Sequence, residues 1–128
     1  MLNPKRQATN SGQMANYNLE ERTLTFAKSV RQFVKRLPRC MSNFEDGKQV
    51  IRSSGSIGAN YIEANETLSK KDFKMRMKVS RKEAKETCYW LKLVDTEKNQ
   101  NLEKERSALL DEATQLLKIM SSIILKAA

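Results

Sequence analysis

The chain has 128 residues, 39% of them apolar and 30% charged, with only four glycines and two prolines; that is enough for one domain with one core and excludes a turn-rich β architecture. Twenty-four Lys and Arg against fifteen Asp and Glu leave +9 with no histidine, a balance that points to an acidic partner, nucleic acid or an anionic membrane surface, beside the plainer reading of a basic surface that only keeps the protein dispersed. No window approaches the roughly 18 apolar residues of a membrane span, and Cys40 and Cys88 stand in no metal or redox spacing, so they read as reduced core thiols of a cytoplasmic protein.

Residues 1–18 have no apolar stretch of the kind a signal peptide needs. They carry Lys5 and Arg6 without an acid, amid Asn, Gln, Ser and Gly, and are expected to form a flexible basic tail. Residues 19–128 are expected to form the bundle. From Leu19 to Leu37 the residues Phe26, Val30, Phe33, Val34 and Leu37 recur at three and four, which predicts a helix over 19–37 ended by Pro38. Glu20 and Glu21 would sit in its first turn and Lys35 and Arg36 in its last, as the helix dipole prefers.

A second helix is expected over about 43–64, with Ser42 and Glu45 spaced as a capping box. Val50, Ser54, Ile57, Gly58, Tyr61 and Ile62 gather on one side of it, and Arg52, Ser56, Asn60 and Glu63 on the other. Gly55 and Gly58 each weaken a helix by up to about 1 kcal/mol relative to Ala. Close approach of a neighbouring backbone would explain them, as would simple tolerance in a well-packed helix.

The third helix, expected over 70–96, opens on another capping pair, Ser69 and Asp72, and its circumference divides into three. Phe73, Met77, Ser80, Ala84, Thr87, Cys88 and Leu91 form a core stripe. Met75, Val79, Trp90 and Leu93 form a second apolar sector around Glu86, either a subunit interface anchored on Trp90 or the edge of a broad core stripe. Between them lie Lys70, Lys71, Lys74, Lys78, Arg81, Lys82, Lys85 and Lys92, with Tyr89 among them. Residues 69–96 hold nine cations against four acids, so this is the basic element. Neighbouring like charges on one face repel by a few tenths of a kcal/mol per pair, a cost that an anionic partner would offset. The excess of lysine over arginine suits phosphate contact more than base reading, and Tyr89 is available to stack on a base.

A fourth helix is expected over 102–125, with Leu102, Leu109, Leu110, Ala113, Leu116, Leu117, Met120, Ile123 and Ile124 in one stripe and Asn101 as its cap. The fold expected is all-α, an up-and-down antiparallel four-helix bundle.

The segment QVIRSSGSIGANYIEAN, followed by SKKDFKMRMKVSRKEAKETCYWLKL, closely resembles the four-helix-bundle proteins related to the 23S rRNA intervening-sequence protein. The matching positions are Arg52, Ser53, Ser56, Ile57, Gly58, Ala59, Asn60, Glu63 and Ala64, then Ser69, Lys70, Lys71, Phe73, Lys85, Glu86, Tyr89, Trp90 and Leu91. The resemblance implies a bundle that assembles into a homopentameric ring. It also implies one of two settings: an intervening sequence of a bacterial 23S rRNA gene, or a diversity-generating retroelement, whose accessory variability determinant partners a reverse transcriptase and binds nucleic acid.

Arg52, Ser56, Asn60 and Glu63 place four polar groups on one face, but no base stands in register with Ser56 and no metal-ligand cluster accompanies them. With Met75, Val79, Glu86, Trp90 and Leu93, they are expected to serve a subunit interface or a structural polar network. No catalytic residue, metal or cofactor is expected. Function is expected to be nucleic-acid binding by a ring-forming scaffold through the third helix, or, alternatively, service as a protein-interaction module for a client such as a reverse transcriptase.

Overall fold

The computed structural model describes residues 11–127, with side chains from Leu19 onward. Its regular elements are four helices: α1 (Ser11–Lys35), α2 (Met41–Asn65), α3 (Lys70–Leu93) and α4 (Gln100–Lys126). Each packs on its neighbour in the chain, and α1 closes the square against α4. Cross-helix contacts run in opposite chain directions: Arg22 meets Glu112 while Arg36 meets Glu105, and Arg52 meets Glu83 while Glu63 meets Arg76. All four sides are therefore antiparallel, the up-and-down arrangement that short connections impose.

The core is the meeting of the four apolar stripes. Phe26, Val30 and Phe33 from α1, Val50, Ile57 and Tyr61 from α2, Met77, Ala84 and Leu91 from α3, and Ala113, Leu116 and Met120 from α4 are all buried. Burial pushes the Tyr61 phenol above its ordinary pKa; a hydrogen bond with Asn65 opposes this and the Glu20 charge adds to it. Val34 and Cys88 pack only partly into the core. Ile62 is exposed, since it stands at the rim of the buried arc of α2. Cys40 and Cys88 are unpaired and half-buried.

Gly58 is where α1 and α2 come closest. A Cβ there would lie 2.6 Å from Thr23 Oγ1, and Thr23 is itself buried. A Cβ at Gly55 would meet only the Arg31 guanidinium, at 3.4 Å, so of these two only Gly58 is required by close approach; at Gly47 a Cβ would lie 3.0 Å from Val34 Cγ1.

Several helix ends differ from expectation: α1 stops at Lys35 and α3 at Leu93, short of the expected 37 and 96. α1 begins at Ser11, so Glu20 and Glu21 lie beyond its first turn and the dipole argument does not reach them; of the expected tail, residues 1–10 lie outside the described residues. α2 starts at Met41 after extended Cys40, with no side-chain cap. The chain leaving Pro38 turns helical two residues early, which carries Ser42 inside the helix. α4 is capped by Asn99, whose side chain accepts from the Leu102 amide at 3.0 Å. Asn101 is already helical. Ser69, by contrast, caps α3 as its spacing predicts, accepting from the Asp72 amide at 3.1 Å.

The α1–α2 and α3–α4 connections are tied together by Asn43. Its amide donates to the Pro38 carbonyl at 3.0 Å and the Asp95 carbonyl at 2.8 Å, and its carbonyl accepts from the Asp95 amide at 2.8 Å. Nearby, Arg106 donates to the Val94 carbonyl at 2.6 Å and pairs with Glu103. These bonds satisfy groups that the end of α3 would otherwise leave without partners.

Candidate functional site

Two faces of α3 are fixed by packing, and they determine what the third can do. Toward α2 the seam is polar and tight. Thr87 Oγ1 donates to Ser53 Oγ at 2.8 Å and Ser80 Oγ donates to the Ile57 carbonyl at 2.7 Å, all among buried side chains. Small hydroxyl residues let the two helices approach closely, and each donor is satisfied, as burial requires. Toward α4 the contact is through the apolar stripe.

The polar set of α2 is drawn into this seam. Arg52 pairs with Glu83 at 3.3 Å and with Glu86 at 3.5 Å. The Glu83 side chain is only 9% exposed, so Arg52 is the cation that keeps its charge compensated. About two turns further along α3, Arg76 pairs with Glu63 at 3.3 Å and reaches Asn60 Oδ1 at 3.4 Å. Ser56 Oγ donates to the Arg52 carbonyl at 3.0 Å and Asn60 Nδ2 to the Ser56 carbonyl at 2.8 Å. Arg52 thus belongs to one inter-helix ion-pair cluster and Asn60 and Glu63 to another, while Ser56 bonds only within its own helix. Glu83 and Arg76, both essential to those clusters, escaped the sequence reading. Glu83 lies between the core stripe and the second apolar sector, and its buried setting has no signature within α3 alone.

The second apolar sector is divided. Trp90 packs partly against the core and meets Tyr89 edge-on, with ring centroids 5.2 Å apart and planes at 76°. Val79 is half-buried, while Met75 and Leu93 are exposed. Trp90 therefore does cover an edge of the core; Leu93 remains as apolar surface beside it, and Met75 is exposed about four turns earlier on α3.

The third face is the basic one. Lys70, Lys71, Lys78, Lys82, Lys85 and Lys92 are exposed, Lys74 and Arg81 half-exposed, and Tyr89 is 58% exposed. Six cations elsewhere, Arg22, Arg36, Lys48, Arg52, Arg76 and Arg106, pair with carboxylates. Among the described residues, none of the eight on this face does. Between α1 and α4, the Glu112 hydrogen bond raises the guanidinium pKa of Arg22 and the Glu105 hydrogen bond that of Arg36.

Elsewhere on the surface, Val34, Pro38, Met41, Phe44 and Ile51 line an apolar groove at the α1–α2 turn, with Met41 85% and Phe44 69% exposed. The described residues include no group of three or more His, Cys, Asp or Glu that could hold a metal ion, and none of their helices is long and apolar enough to cross a membrane.

Comparison with curated proteins finds no match. A crystal structure of a protein of unknown function from the S23 ribosomal protein family, from Bacteroides thetaiotaomicron, is similar at 29% identity with a TM-score of 0.68, over 83% of this chain and 97% of that one. The family model for the 23S rRNA-intervening sequence protein matches residues 16–122, which takes in all of α2 and α3. The chain belongs to the 23S rRNA-intervening sequence protein family.

Proposed function

We propose that this protein is a non-catalytic, ring-forming scaffold that binds nucleic acid through the basic face of α3. The observation that carries this reading is the contrast in pairing: eight cations share one face without a carboxylate partner, while Glu83 and Glu86 on the same helix are committed to Arg52. A lysine-rich face contacts phosphates as separate point charges, giving affinity with little sequence preference. Membership of a family described by an insertion in ribosomal RNA genes is in keeping with a nucleic-acid partner. The exposed Leu93 beside Trp90, with Met75 further along the same sector, marks the surface through which copies would assemble, and sedimentation of the purified protein tests it: a ring requires a species several times the monomer mass, and a clean monomer would discard it.

Replacing Lys74, Lys78 and Lys82 together with Glu is expected to abolish binding to a nucleic-acid probe at moderate salt. Unchanged binding by that variant would remove α3 from the role.

The groove around Met41 and Phe44 favours a second reading, an accessory module for a protein client such as a reverse transcriptase. A specific protein that co-purifies after nuclease treatment, and is lost on Phe44→Glu, would support it. Recovery of nucleic acid alone would oppose it.

A further inference from the structure

We infer that the ligand of the α3 face is an unpaired strand, with one base stacked on Tyr89 and the phosphates on either side of it held by Lys85 and Lys92. The inference rests on the nucleic-acid reading above and names the kind of nucleic acid. Tyr89 follows Lys85 by four residues and precedes Lys92 by three, so the three side chains are immediate neighbours on the helix surface. Lys82 and Lys78 continue the row toward the N-terminus, all of them exposed. Tyr89 is more than half exposed, and its ring rests edge-on against the half-buried Trp90, with centroids 5.2 Å apart. An exposed aromatic ring resting against a half-buried neighbour, within a lysine row, is the combination single strands require: cations that follow the backbone and a flat surface for a base. In a duplex the bases are already stacked on one another, so the lysines would find phosphates and the ring would find nothing. Electrostatics alone would not select between strand forms, and the ring does.

The test uses labelled mixed-sequence oligonucleotides, RNA and DNA, each single-stranded and as the matching duplex. They are titrated into the full chain, Tyr89→Phe, Tyr89→Leu and the triple variant of Lys74, Lys78 and Lys82 to Glu, with helical circular dichroism confirming that each is folded. The wild type is expected to prefer single strands. Tyr89→Leu should weaken single-strand binding roughly tenfold, in line with the value of a stacked base, without changing the salt slope, and Tyr89→Phe should retain it. The fluorescence of Trp90, the chain's one tryptophan, should change on binding single strands and lose that response in Tyr89→Leu. The RNA and DNA arms identify the source of the strand, because stacking and phosphate contact serve both. Equal affinity for the duplex, or wild-type binding by Tyr89→Leu while the lysine variant fails, would overturn the single-strand assignment and leave the basic face standing. Absence of binding to every probe would overturn both.

Discussion

Gly55 and Gly58 lie one turn apart on α2, yet opposite outcomes are expected on adding a methyl group. At Gly58 the new Cβ would press on buried Thr23, and overpacking of this kind costs about 1–3 kcal/mol. At Gly55 only the mobile end of Arg31 stands nearby, so Gly55→Ala should gain up to about 1 kcal/mol from helix propensity. Urea denaturation of the two variants measures both. The sequence showed these two glycines on one helix; which of them was required depended on the side chain of α1 opposite. Arg52 is a similar case. Arg52→Met would leave Glu83 buried without its cation and is expected to cost roughly 1–3 kcal/mol, whereas Glu86→Gln, at a half-exposed position, should cost less than about 1 kcal/mol. An equal cost for the two would show that Glu83 does not depend on Arg52. Tyr61 adds a pH dependence of known sign. Its pKa is raised on folding, so its share of stability is intact below the ordinary phenol pKa of about 10 and is lost as pH rises through the folded value. Tyr61→Phe should flatten the alkaline limb of the unfolding midpoint against pH.

At the scale of the helices, α3 has three duties on one cylinder: a core stripe, a hydroxyl-rich seam with α2, and a basic face. The core stripe and the basic face were legible in the sequence because both follow the helical period, and Met77, Ala84 and Leu91 are fully buried as that period requires. The seam was not. Ser53 with Thr87, and Ser80 with the Ile57 carbonyl, are pairings between residues far apart in the chain, and a helical wheel holds no information about the partner helix. The caps separate in the same way. Ser69 obeyed its spacing, but the start of α2 was set by the extended backbone at Cys40 rather than by Ser42. One consequence belongs to α3 alone. Since its face cations repel one another, introducing Glu at Lys74, Lys78 and Lys82 should leave the thermal midpoint unchanged or slightly raised, by a few tenths of a kcal/mol per relieved pair. A marked fall in the midpoint would mean that those lysines support the fold itself.

For the whole molecule, the four-helix architecture and the family follow from one another: the matched segment of 16–122 spans α2 and α3 entirely, and it is those helices that carry the ion-pair clusters and the basic face. More than half of the net charge of +9 is thereby given a location, since residues 69–96 hold nine cations against four acids. Two parts of the surface differ in character, the lysine row along α3 and the apolar groove of Met41 and Phe44 at the α1–α2 turn; neither position could be read from composition. What the sequence left open, whether excess charge merely disperses the protein or binds an anion, is a question of salt. The most direct measurement is the affinity for a nucleic-acid probe across a series of salt concentrations, for the wild type and for the Lys74, Lys78 and Lys82 to Glu variant. If the α3 face holds phosphates, log affinity should fall steeply and linearly with log salt for the wild type, and the loss of three contacts should reduce the slope by about 2. A slope shared by both proteins would contradict the assignment of binding to α3.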